Sequence, residues 1–413
     1  MPQYHIWTIG CQMNKAESER LGSCLEEKGY RAADTVEEAD IIVLNSCVVR
    51  QSAENRVLNK LMSLKALKAQ NDATLALTGC MVNSEVTRLK KDFPHVDYFF
   101  KAGGDPPWLE KQEVLPALPR HPSPSAFVPV IQGCDNFCTY CIVPYRRGRE
   151  KSRPVSEISC EVRELVKRGV KEVTLLGQNV DSYGHDLPDK PDLADLLAEL
   201  NRITGLARIR FLTNHPKDMS DKLIEAIASL DKVCEQLNLP VQAGSNDILT
   251  AMGRGYTIEQ YRRLVTRLRD RLPEIALSTD IIVGFPSESA GQFQETVDLL
   301  TELKFHTVHV AAYSPREGTS AARELKDNVP PEVKKERLST IEQLQEKIAT
   351  DNNARLLGET VEVLVEGKAK DKWQGRTRSD RLVFFQNNND CQGQILNIRI
   401  EKTSPWSLQG KII

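Results

Sequence analysis

Three closely spaced cysteines constrain this chain more than any other feature of its sequence. They are Cys134, Cys138 and Cys141, and they come directly after a strand-like run at 128–131. Thiolates are natural ligands of iron and sulfide, so a loop with this spacing can wrap one compact iron–sulfur cluster. Three cysteines on a four-iron cluster leave one iron without a protein ligand, and an exogenous molecule can bind there.

Two other interpretations of these cysteines are open. Positions i, i+4 and i+7 share one face of a helix, which would make the three residues ordinary buried cysteines. Gly133 and Pro144 bracket the segment too closely for a good helix, which argues against this interpretation. A zinc site would require a fourth Cys or His nearby, and the sequence shows none there.

Composition narrows the class of protein. The chain has 413 residues, ten of them cysteine, and a net charge of −2. In a reducing compartment, cysteines serve metal ligation or redox chemistry more often than disulfides. The apolar stretches are far shorter than the roughly 20 residues that span a bilayer, and the N-terminus has no secretory pattern. We therefore expect a cytoplasmic protein without a membrane partner. The charge balance excludes a uniformly basic coat for nucleic acid.

Strand-like runs at 4–9, 41–44 and 73–77 each precede a cysteine and then a helical pattern. Repeated strand and helix units predict a parallel sheet, in which the carboxyl ends of all strands point the same way. The three cysteines, distant in sequence, should therefore meet at one edge of the sheet. They are Cys11, Cys47 and Cys80. Each of them taken alone is more often a packed core residue.

Six strand and helix units follow a proline-rich segment, and they predict an incomplete barrel with its chemistry at the carboxyl ends of the strands. The last part of the chain changes to period-two alternation with Gly and Asn turns, which is typical of a small all-β module. We therefore expect an α/β protein with an N-terminal parallel-sheet domain at 1–115, a linker at 116–125, a partial (βα)6 barrel at 126–350 and an all-β module at 351–413.

The cysteine spacing after the first barrel strand resembles the radical S-adenosylmethionine (SAM) superfamily. The resemblance implies that SAM chelates the open iron of a [4Fe-4S] cluster and is split by one electron into a 5′-deoxyadenosyl radical. Segments after the second strand and along the fifth strand resemble those that hold the amino group and adenine of SAM. The residues we expect at SAM are Tyr140, Gly177, Gln178, Asn179, Gln242, Ser245, Asp280, Gly284 and Phe285.

Over its whole length the chain resembles the methylthiotransferase family. The motifs that carry the resemblance include Asn45-Ser46-Cys47-Val48-Val49-Arg50 and Leu176-Gly177-Gln178-Asn179-Val180. The resemblance implies that Cys11, Cys47 and Cys80 hold an auxiliary [4Fe-4S] cluster. It also implies addition of a methylthio group to C2 of N6-(dimethylallyl)adenosine at position 37 of tRNA, next to the anticodon. Ser46, where Thr is commoner, and Asn238, where His is expected, depart from the family pattern without touching a cluster ligand.

The implied cofactors are two [4Fe-4S] clusters, SAM as methyl donor and radical source, and sulfide or polysulfide as sulfur source. The implied partners are tRNA with a prenylated adenosine in its anticodon loop, a low-potential electron donor such as flavodoxin or ferredoxin, and a sulfur or cluster carrier. Two alternatives remain open. One is a methylthiotransferase for threonylcarbamoyladenosine in tRNA or for a ribosomal-protein aspartate, and the other is a non-enzymatic iron–sulfur protein that binds RNA or carries electrons.

Two basic segments are candidates for tRNA contact. The all-β module resembles the TRAM RNA-binding domain, and basic residues with an aromatic among them suit phosphate contact and base stacking. A second basic run follows the cysteine loop, where it could guide a polyanion into the site. The alternative for the module is a solvated, charged edge strand. The candidates are Arg146, Arg147, Arg149, Lys151 and Arg153 in the run, and Lys368, Lys370, Lys372, Trp373, Arg376, Arg378 and Arg381 in the module.

Overall fold

The structure is a computed structural model that describes residues 1–82, 86–104, 106–109, 118–119 and 122–413. Part of the expected linker at 116–125, including its first two residues, lies outside the described residues. Among the described residues, no helix is long and apolar enough to cross a membrane.

The N-terminal domain is a parallel sheet covered by helices. Its hydrogen-bonded strand order is β2-β1-β3-β4-β5, and every neighbouring pair is parallel. Strand β3 is buried along its whole length, as expected for a central parallel strand with both faces covered. The elements are β1 (Gln3–Thr8), α1 (Gln12–Glu27), β2 (Arg31–Ala32), β3 (Ile41–Ser46), α2 (Gln51–Asn71), β4 (Thr74–Gly79), α3 (Val86–Asp92) and β5 (Tyr98–Phe99).

The central domain is the predicted partial barrel, built from two three-stranded parallel sheets. Their orders are β10-β9-β6 and β11-β12-β13, and a single bridge between Ile209 and Val233 joins them. The short antiparallel pair β7 and β8 closes the base of the loop that contains the three spaced cysteines. The strands are β6 (Ser125–Pro129), β7 (Ile131–Gln132), β8 (Lys151–Ser152), β9 (Glu172–Leu176), β10 (Arg208–Leu212), β11 (Gln236–Asn238), β12 (Ala276–Val283) and β13 (Thr307–Ala312).

Amphipathic helices cover the barrel, and the largest hydrophobic core of the chain lies between them and the strands. Side-chain caps define several helix starts; Ser289, for example, accepts a hydrogen bond from the backbone N–H of Gln292. The helices are α4 (Val143–Arg147), α5 (Val155–Lys167), α6 (Leu193–Asn201), α7 (Asp221–Ser229), α8 (Asn246–Ala251), α9 (Ile258–Arg271), α10 (Ala290–Leu303), α11 (Ser320–Glu324) and α12 (Pro331–Ala354).

The C-terminal module is a closed barrel with the strand order β14-β15-β16-β18-β17. Closure leaves the barrel without open sheet edges. The sequence predicted three of these strands and missed β15 and β18. The strands are β14 (Thr360–Ala369), β15 (Lys372–Thr377), β16 (Leu382–Phe385), β17 (Ile395–Thr403) and β18 (Leu408–Ile412).

Two buried arginines of β10 fasten the C-terminal module to the central barrel. Arg208 is fully buried and its guanidinium donates to the carboxylate of Glu362 at 2.7 Å and to the carbonyl of Arg376 at 2.8 Å. Arg210 donates to the carbonyl of Arg378 at 2.7 Å. Since Arg208 is the first residue of its strand, the module docks at the amino ends of the barrel strands, opposite the end where a barrel site is expected.

Candidate active site

The three spaced cysteines lie on an irregular loop between β7 and α4, so the helical interpretation is wrong. The loop begins at Gly133, which has a φ of +85° and comes so close to the chain that an added Cβ would lie 2.1 Å from the carbonyl oxygen of Arg149. The backbone N–H of Gly133 donates to Oε1 of Gln178 at 2.5 Å. Gln178, two residues after the end of β9, therefore fixes the start of the cysteine loop.

The loop places its three thiols in a shared, mostly buried environment. Cys134 and Cys138 are buried, and Cys141 is partly buried. Burial raises the pKa of the Cys134 thiol and raises that of Cys141 to about 12, and the neighbouring cysteine charges add to both shifts. The guanidinium of Arg254 donates to the sulfur of Cys138 at 3.4 Å. Buried thiols in such a setting are poised for a cation that holds them as thiolates.

The second set of cysteines is also brought together at the carboxyl end of its sheet. Cys11 is exposed at the start of α1, and Cys47 and Cys80 are buried just after β3 and β4. A hydrogen bond with Cys80 lowers the pKa of the Cys47 thiol to about 7, while the charge of Cys11 opposes that shift. Cys11 and Cys80 therefore both act on the Cys47 thiol, and the three residues meet at one edge of the sheet, as the parallel-sheet argument predicts.

A buried amide pair supports these cysteine loops. Nδ2 of Asn14 donates to Oδ1 of Asn45 at 2.8 Å and to the carbonyl of Ser46 at 3.1 Å. Oδ1 of Asn14 accepts from both the N–H and the thiol of Cys11 at 3.3 Å. The backbone of Cys11 and of the residue before Cys47 is thus tied to one network of hydrogen bonds.

The predicted SAM residues after β9 lie at the carboxyl end of the barrel, beside the cysteine loop. Gly177 packs so closely that a Cβ would lie 2.5 Å from Ile131. Nδ2 of Asn179 donates to Asp218 at 2.8 Å, whereas its buried Oδ1 has no hydrogen-bond partner among the described residues. The buried Oδ1 of Asn214 is likewise unpaired among them. Two orphaned acceptors of this kind fit the amino group of a ligand such as SAM.

The other predicted SAM residues are divided between this end of the barrel and its core. Gln242 has a φ of +75° and pairs with β12 through backbone bonds to Asp280 and Ile282. Ser245 is buried at the start of α8, and Oδ2 of Asp280 accepts from Asn238 at 3.1 Å.

An aromatic pair and a glycine complete the predicted SAM set. Phe285 is fully buried and meets the ring of Tyr140 edge to face, with centroids 6.4 Å apart. At Gly284 a Cβ would clash with the side chain of Lys334 at 2.4 Å. Tyr140 therefore connects the cysteine loop to the end of β12, whereas Gly284 packs against α12.

The basic run after the cysteine loop is divided between surface and interior. Arg149 and Lys151 are exposed, and Arg149 forms a two-bond pair with Asp135. Arg146 is half-buried. Arg147 is only 3% exposed in its side chain and pairs with a carboxylate of the N-terminal domain, and Arg153 donates to carboxylates of α5. Arg147 and Arg153 are therefore placed inside the protein, not on the surface that the run was expected to offer.

The basic residues of the C-terminal module show the same division. Lys368 and Lys370 are exposed and Lys372 is half-buried. Trp373 is only 4% exposed, and its indole N–H donates to the carbonyl of Asn387, so it packs inside the barrel rather than on a stacking surface. The three arginines have protein partners, which are Asp380 for Arg376, Glu235 for Arg378 and Asn353 for Arg381.

Sequence reasoning missed a buried carboxyl group near the SAM residues. Asp181 accepts from the side chain of Asn214 and from the backbone N–H of His215. Burial raises the pKa of Asp181 to about 7 and lowers that of His215 to about 2. Sequence reasoning also missed Arg254, although the glycines on both sides of it were a signal of close backbone packing.

In the part of the chain that the structure describes, no three His, Cys, Asp or Glu side chains come close enough together to hold one metal ion. Neither cysteine set thus has the geometry of a mononuclear site such as tetrahedral zinc. The donor chemistry of both sets is thiol alone, which is the chemistry that iron–sulfur clusters use. The residues present therefore fit such a group.

Comparisons with known proteins agree with this arrangement. The profile of the radical SAM superfamily matches residues 128–300, that of the uncharacterized protein family UPF0004 matches 3–101, and that of the TRAM domain matches 354–413. A solved radical S-adenosylmethionine methyltransferase, TsrM from Kitasatospora setae, shares the fold with a TM-score of 0.58 at 13% identity, over 91% of this chain and 81% of its own. The fold and the cysteine loop thus define a radical SAM protein, which implies SAM and a [4Fe-4S] cluster as cofactors.

Curated relatives narrow the family further. A tRNA-2-methylthio-N(6)-dimethylallyladenosine synthase of Dehalococcoides mccartyi (strain 195) is 56% identical over 100% of this chain and 99% of its own length. The protein of the same name from Chloroflexus aurantiacus is 50% identical over 99% of this chain and 91% of its own. The chain therefore belongs to the family of tRNA-2-methylthio-N(6)-dimethylallyladenosine synthases.

Proposed function

We propose that this chain is a radical SAM methylthiotransferase that adds a methylthio group to C2 of N6-(dimethylallyl)adenosine at position 37 of tRNA. One observation supports this proposal above the others. Nε of Arg147, six residues after Cys141, donates to the sulfur of Cys80 at 3.2 Å. The helix that follows the barrel cysteines therefore reaches the N-terminal set across the domain boundary, which supports a reaction that draws on both sets.

The chemistry explains the need for a radical enzyme. The C2 hydrogen of adenine has no usable acidity, so a general base cannot remove it at physiological pH. When bound, SAM at a cluster on Cys134, Cys138 and Cys141 supplies a carbon radical that can abstract this hydrogen. The protein holds SAM, orients the base and excludes water. The buried, unpaired oxygens of Asn179 and Asn214 suit the ammonium group of SAM.

The N-terminal set has the complementary role in this proposal. Cys11, Cys47 and Cys80 hold a second [4Fe-4S] cluster, and the sulfur that is transferred comes from sulfide or polysulfide at that site. Its methyl group comes from a further SAM. The amide pair of Asn14 and Asn45 supports the proposal because it fixes both loops in a dry, fully hydrogen-bonded setting.

The expected division into a methylthiotransferase domain, a SAM barrel and an RNA-binding module is part of the same proposal. The exposed residues Arg149, Lys151, Lys368 and Lys370 contact tRNA phosphates, as surface cations do. A low-potential donor such as flavodoxin or ferredoxin reduces the cluster, and a carrier delivers sulfur or cluster. Because we assign six of the cysteines to iron–sulfur clusters and none to a disulfide, we place the protein in the reducing cytoplasm.

The test is anaerobic reconstitution with iron and sulfide, followed by incubation with dithionite, SAM and prenylated tRNA. Wild type is compared with a triple variant in which Cys11, Cys47 and Cys80 are Ala, and with Cys160→Ala as a control outside both sets. We expect about eight irons in wild type and about four in the triple variant. Both should cleave SAM, and only wild type and Cys160→Ala should form the methylthio nucleoside.

Three results would contradict the proposal. Full iron content in the triple variant would show that the N-terminal cysteines hold no cluster. Wild type that leaves prenylated tRNA unchanged, but modifies threonylcarbamoyladenosine in tRNA or a ribosomal-protein aspartate, would show that the substrate is wrong. Absence of reductive SAM cleavage in the two-cluster protein would favour a non-enzymatic iron–sulfur protein.

A further inference from the structure

Two buried arginines of the barrel reach across to the loops of the N-terminal cysteines. Arg147 ends helix α4, which starts two residues after Cys141. Its Nε donates to the sulfur of Cys80 at 3.2 Å, and its terminal nitrogens donate to both carboxylate oxygens of Glu17 at 2.6 and 3.3 Å. The side chains of Arg147 and Glu17 are 3% and 12% exposed. Because α4 is short and continuous with the cysteine loop, this guanidinium is held at a fixed place relative to Cys141.

The second arginine approaches the same region from another loop of the barrel. Arg316 lies between β13 and α11, and it is 7% exposed. Its Nε donates to the carbonyl of Val49 at 3.2 Å, and its Nη1 donates to the carboxylate of Glu54 at 2.8 Å. The N–H of Ala321, five residues after Arg316, donates to the carbonyl of Thr139 in the cysteine loop at 2.8 Å.

Stabilisation of the interface between the barrel and the N-terminal domain does not by itself explain these contacts. A buried ion pair is often no more stable than a well-packed apolar pair, because both charges must leave water. The guanidinium of Arg147 donates one N–H group to a sulfur atom, although its terminal nitrogens already donate two bonds to the carboxylate of Glu17. Its charge also interacts with Cys11. The position of the Arg147 cation therefore affects the thiolates of the N-terminal set more than the stability of the domain interface.

We propose that Arg147 is a positioning residue for the N-terminal cysteine set, and that Arg316 assists it. Arg147 holds the Cys80 ligand at a fixed place relative to the SAM loop, and its charge stabilises the more negative, reduced form of the group that Cys11, Cys47 and Cys80 would hold. Partners of metal ligands in this position typically change affinity or activity 10- to 100-fold when they are replaced. The inference rests on the proposed function in one respect, namely that these three cysteines hold a cluster.

The variants separate charge from geometry. Arg147→Gln removes the charge, and Arg147→Lys keeps it but loses the two-bond pairing with Glu17. Glu17→Gln changes the carboxylate partner without touching Cys80. Arg163→Gln is the matched control, because Arg163 forms a half-exposed pair with Glu199 on the barrel surface. Each is reconstituted as the full chain and assayed for iron, for SAM cleavage and for methylthio transfer.

The decisive measurement is a redox titration followed by electron paramagnetic resonance, in a background where Cys134, Cys138 and Cys141 are Ala. We expect Arg147→Gln to move the midpoint potential of the N-terminal cluster to a more negative value, and Arg147→Lys to restore much of that shift. In the two-cluster protein, Arg147→Gln should keep SAM cleavage within about threefold of wild type and lose at least tenfold in methylthio transfer. Arg163→Gln should match wild type in every assay.

An unchanged potential in Arg147→Gln, or an equal loss of SAM cleavage and transfer, would overturn the inference, since either result describes a residue that only holds the fold. If Arg147→Gln does not fold, the same readouts on Glu17→Gln and Arg316→Gln decide, and wild-type potentials in both overturn it. Wild type that makes no methylthio nucleoside would refute the proposed function, while a shift in potential would still establish the role of Arg147.

Discussion

Asn14 and Asn45 form a completely buried amide pair in which Nδ2 of the first donates to Oδ1 of the second at 2.8 Å, and the second returns a bond to the backbone carbonyl of the first at 2.9 Å. Asn14 also contacts Cys11, and Asn45 lies two residues before Cys47. Helix α1 and strand β3 are thus joined at the point where each presents a cysteine.

Asn14→Asp should weaken this junction. The substitution keeps the shape but removes both N–H donors, and it turns a carboxylate oxygen toward Oδ1 of Asn45 and the carbonyl of Ser46. We expect a loss of about 3 kcal/mol in the free energy of unfolding, since charged groups left buried without partners cost the most. Denaturant unfolding of the chain measures it. Asn55→Asp on the exposed face of α2, where the side chain only accepts a bond, should change little.

Gly133→Ala should damage the SAM loop more than Gly148→Ala does. Both glycines have φ near +85°, a backbone conformation that strains any residue with a Cβ. A Cβ at Gly133 would additionally collide with the carbonyl of Arg149, whereas Gly148 has no atom within 4 Å of its Cβ position. We expect Gly133→Ala to lose about half of the reconstituted iron and its SAM cleavage. Equal iron content in both variants would contradict this.

Asp181 should give the barrel a pH-dependent stability. Its pKa of about 7 in the fold lies above the ordinary value of 3.8, so between these values the folded state binds more protons than the unfolded state. The contribution of Asp181 to stability should therefore be complete below about pH 4, fall as the pH rises toward 7, and be lost above it.

The variant Asp181→Asn tests this slope, because it cannot ionise. Its stability relative to wild type should increase between pH 5 and pH 7 by a few kcal/mol, one pKa unit being about 1.4 kcal/mol. Thermal midpoints across that range measure the difference, and the titration of His215, whose pKa the fold lowers, is common to both proteins. Asp221→Asn, in an exposed pair with Arg267, should show no such trend.

Arg208→Met should loosen the C-terminal module. The substitution leaves the buried carboxylate of Glu172 with Arg210 as its remaining cation and removes the bond to Glu362. Loss of one partner from such a network costs about 3–5 kcal/mol. Limited proteolysis near residue 355 should become faster, and the thermal midpoint should fall. Arg267→Met, at an exposed pair, should stay within about 1 kcal/mol of wild type.

Replacing Lys368 and Lys370 with Ala should weaken tRNA binding and its dependence on salt. Each lost phosphate contact lowers the slope of log affinity against log salt by roughly 0.7–0.9. Fluorescence anisotropy of labelled tRNA at several salt concentrations measures both quantities. Lys222→Ala is the control, because Asp192 and Asp195 already neutralise that charge. An unchanged slope in the double variant would place the RNA elsewhere.

The sequence predicted some elements to the residue. The sequence pattern predicts barrel strands at 172–176, 208–212 and 276–283, and the structure has strands with the same bounds, because buried parallel strands are mainly apolar runs between clear breaks. Strand β15 was missed because lysine, glutamine, glycine and arginine mask its pattern. Its burial nevertheless alternates, with Trp373 on the inner face together with Gly375 and Thr377.

The sequence likewise predicted one part of the candidate site and missed another. Local spacing predicted the cysteine loop, and the rule on carboxyl ends of parallel strands predicted that Cys11, Cys47 and Cys80 would meet. The inward turn of Arg147 depends on Cys80, 67 positions earlier in the chain, and no local pattern encodes a contact of that range. A basic run on its own predicts exposed side chains. Only the folded structure shows which of them are buried and bind other residues of the protein.

The C-terminal module docks at the amino ends of the barrel strands and therefore lies at a fixed distance from the cysteines at their carboxyl ends. The barrel strands are about five residues long, so roughly 16 Å separates the module's attachment point from the strand ends beside the cysteines. Because Arg208 and Arg210 allow the module little freedom, that span is set by the fold. A polynucleotide that engages both ends must be at least as long as the barrel is tall, so a free nucleoside or a short fragment can occupy one end only.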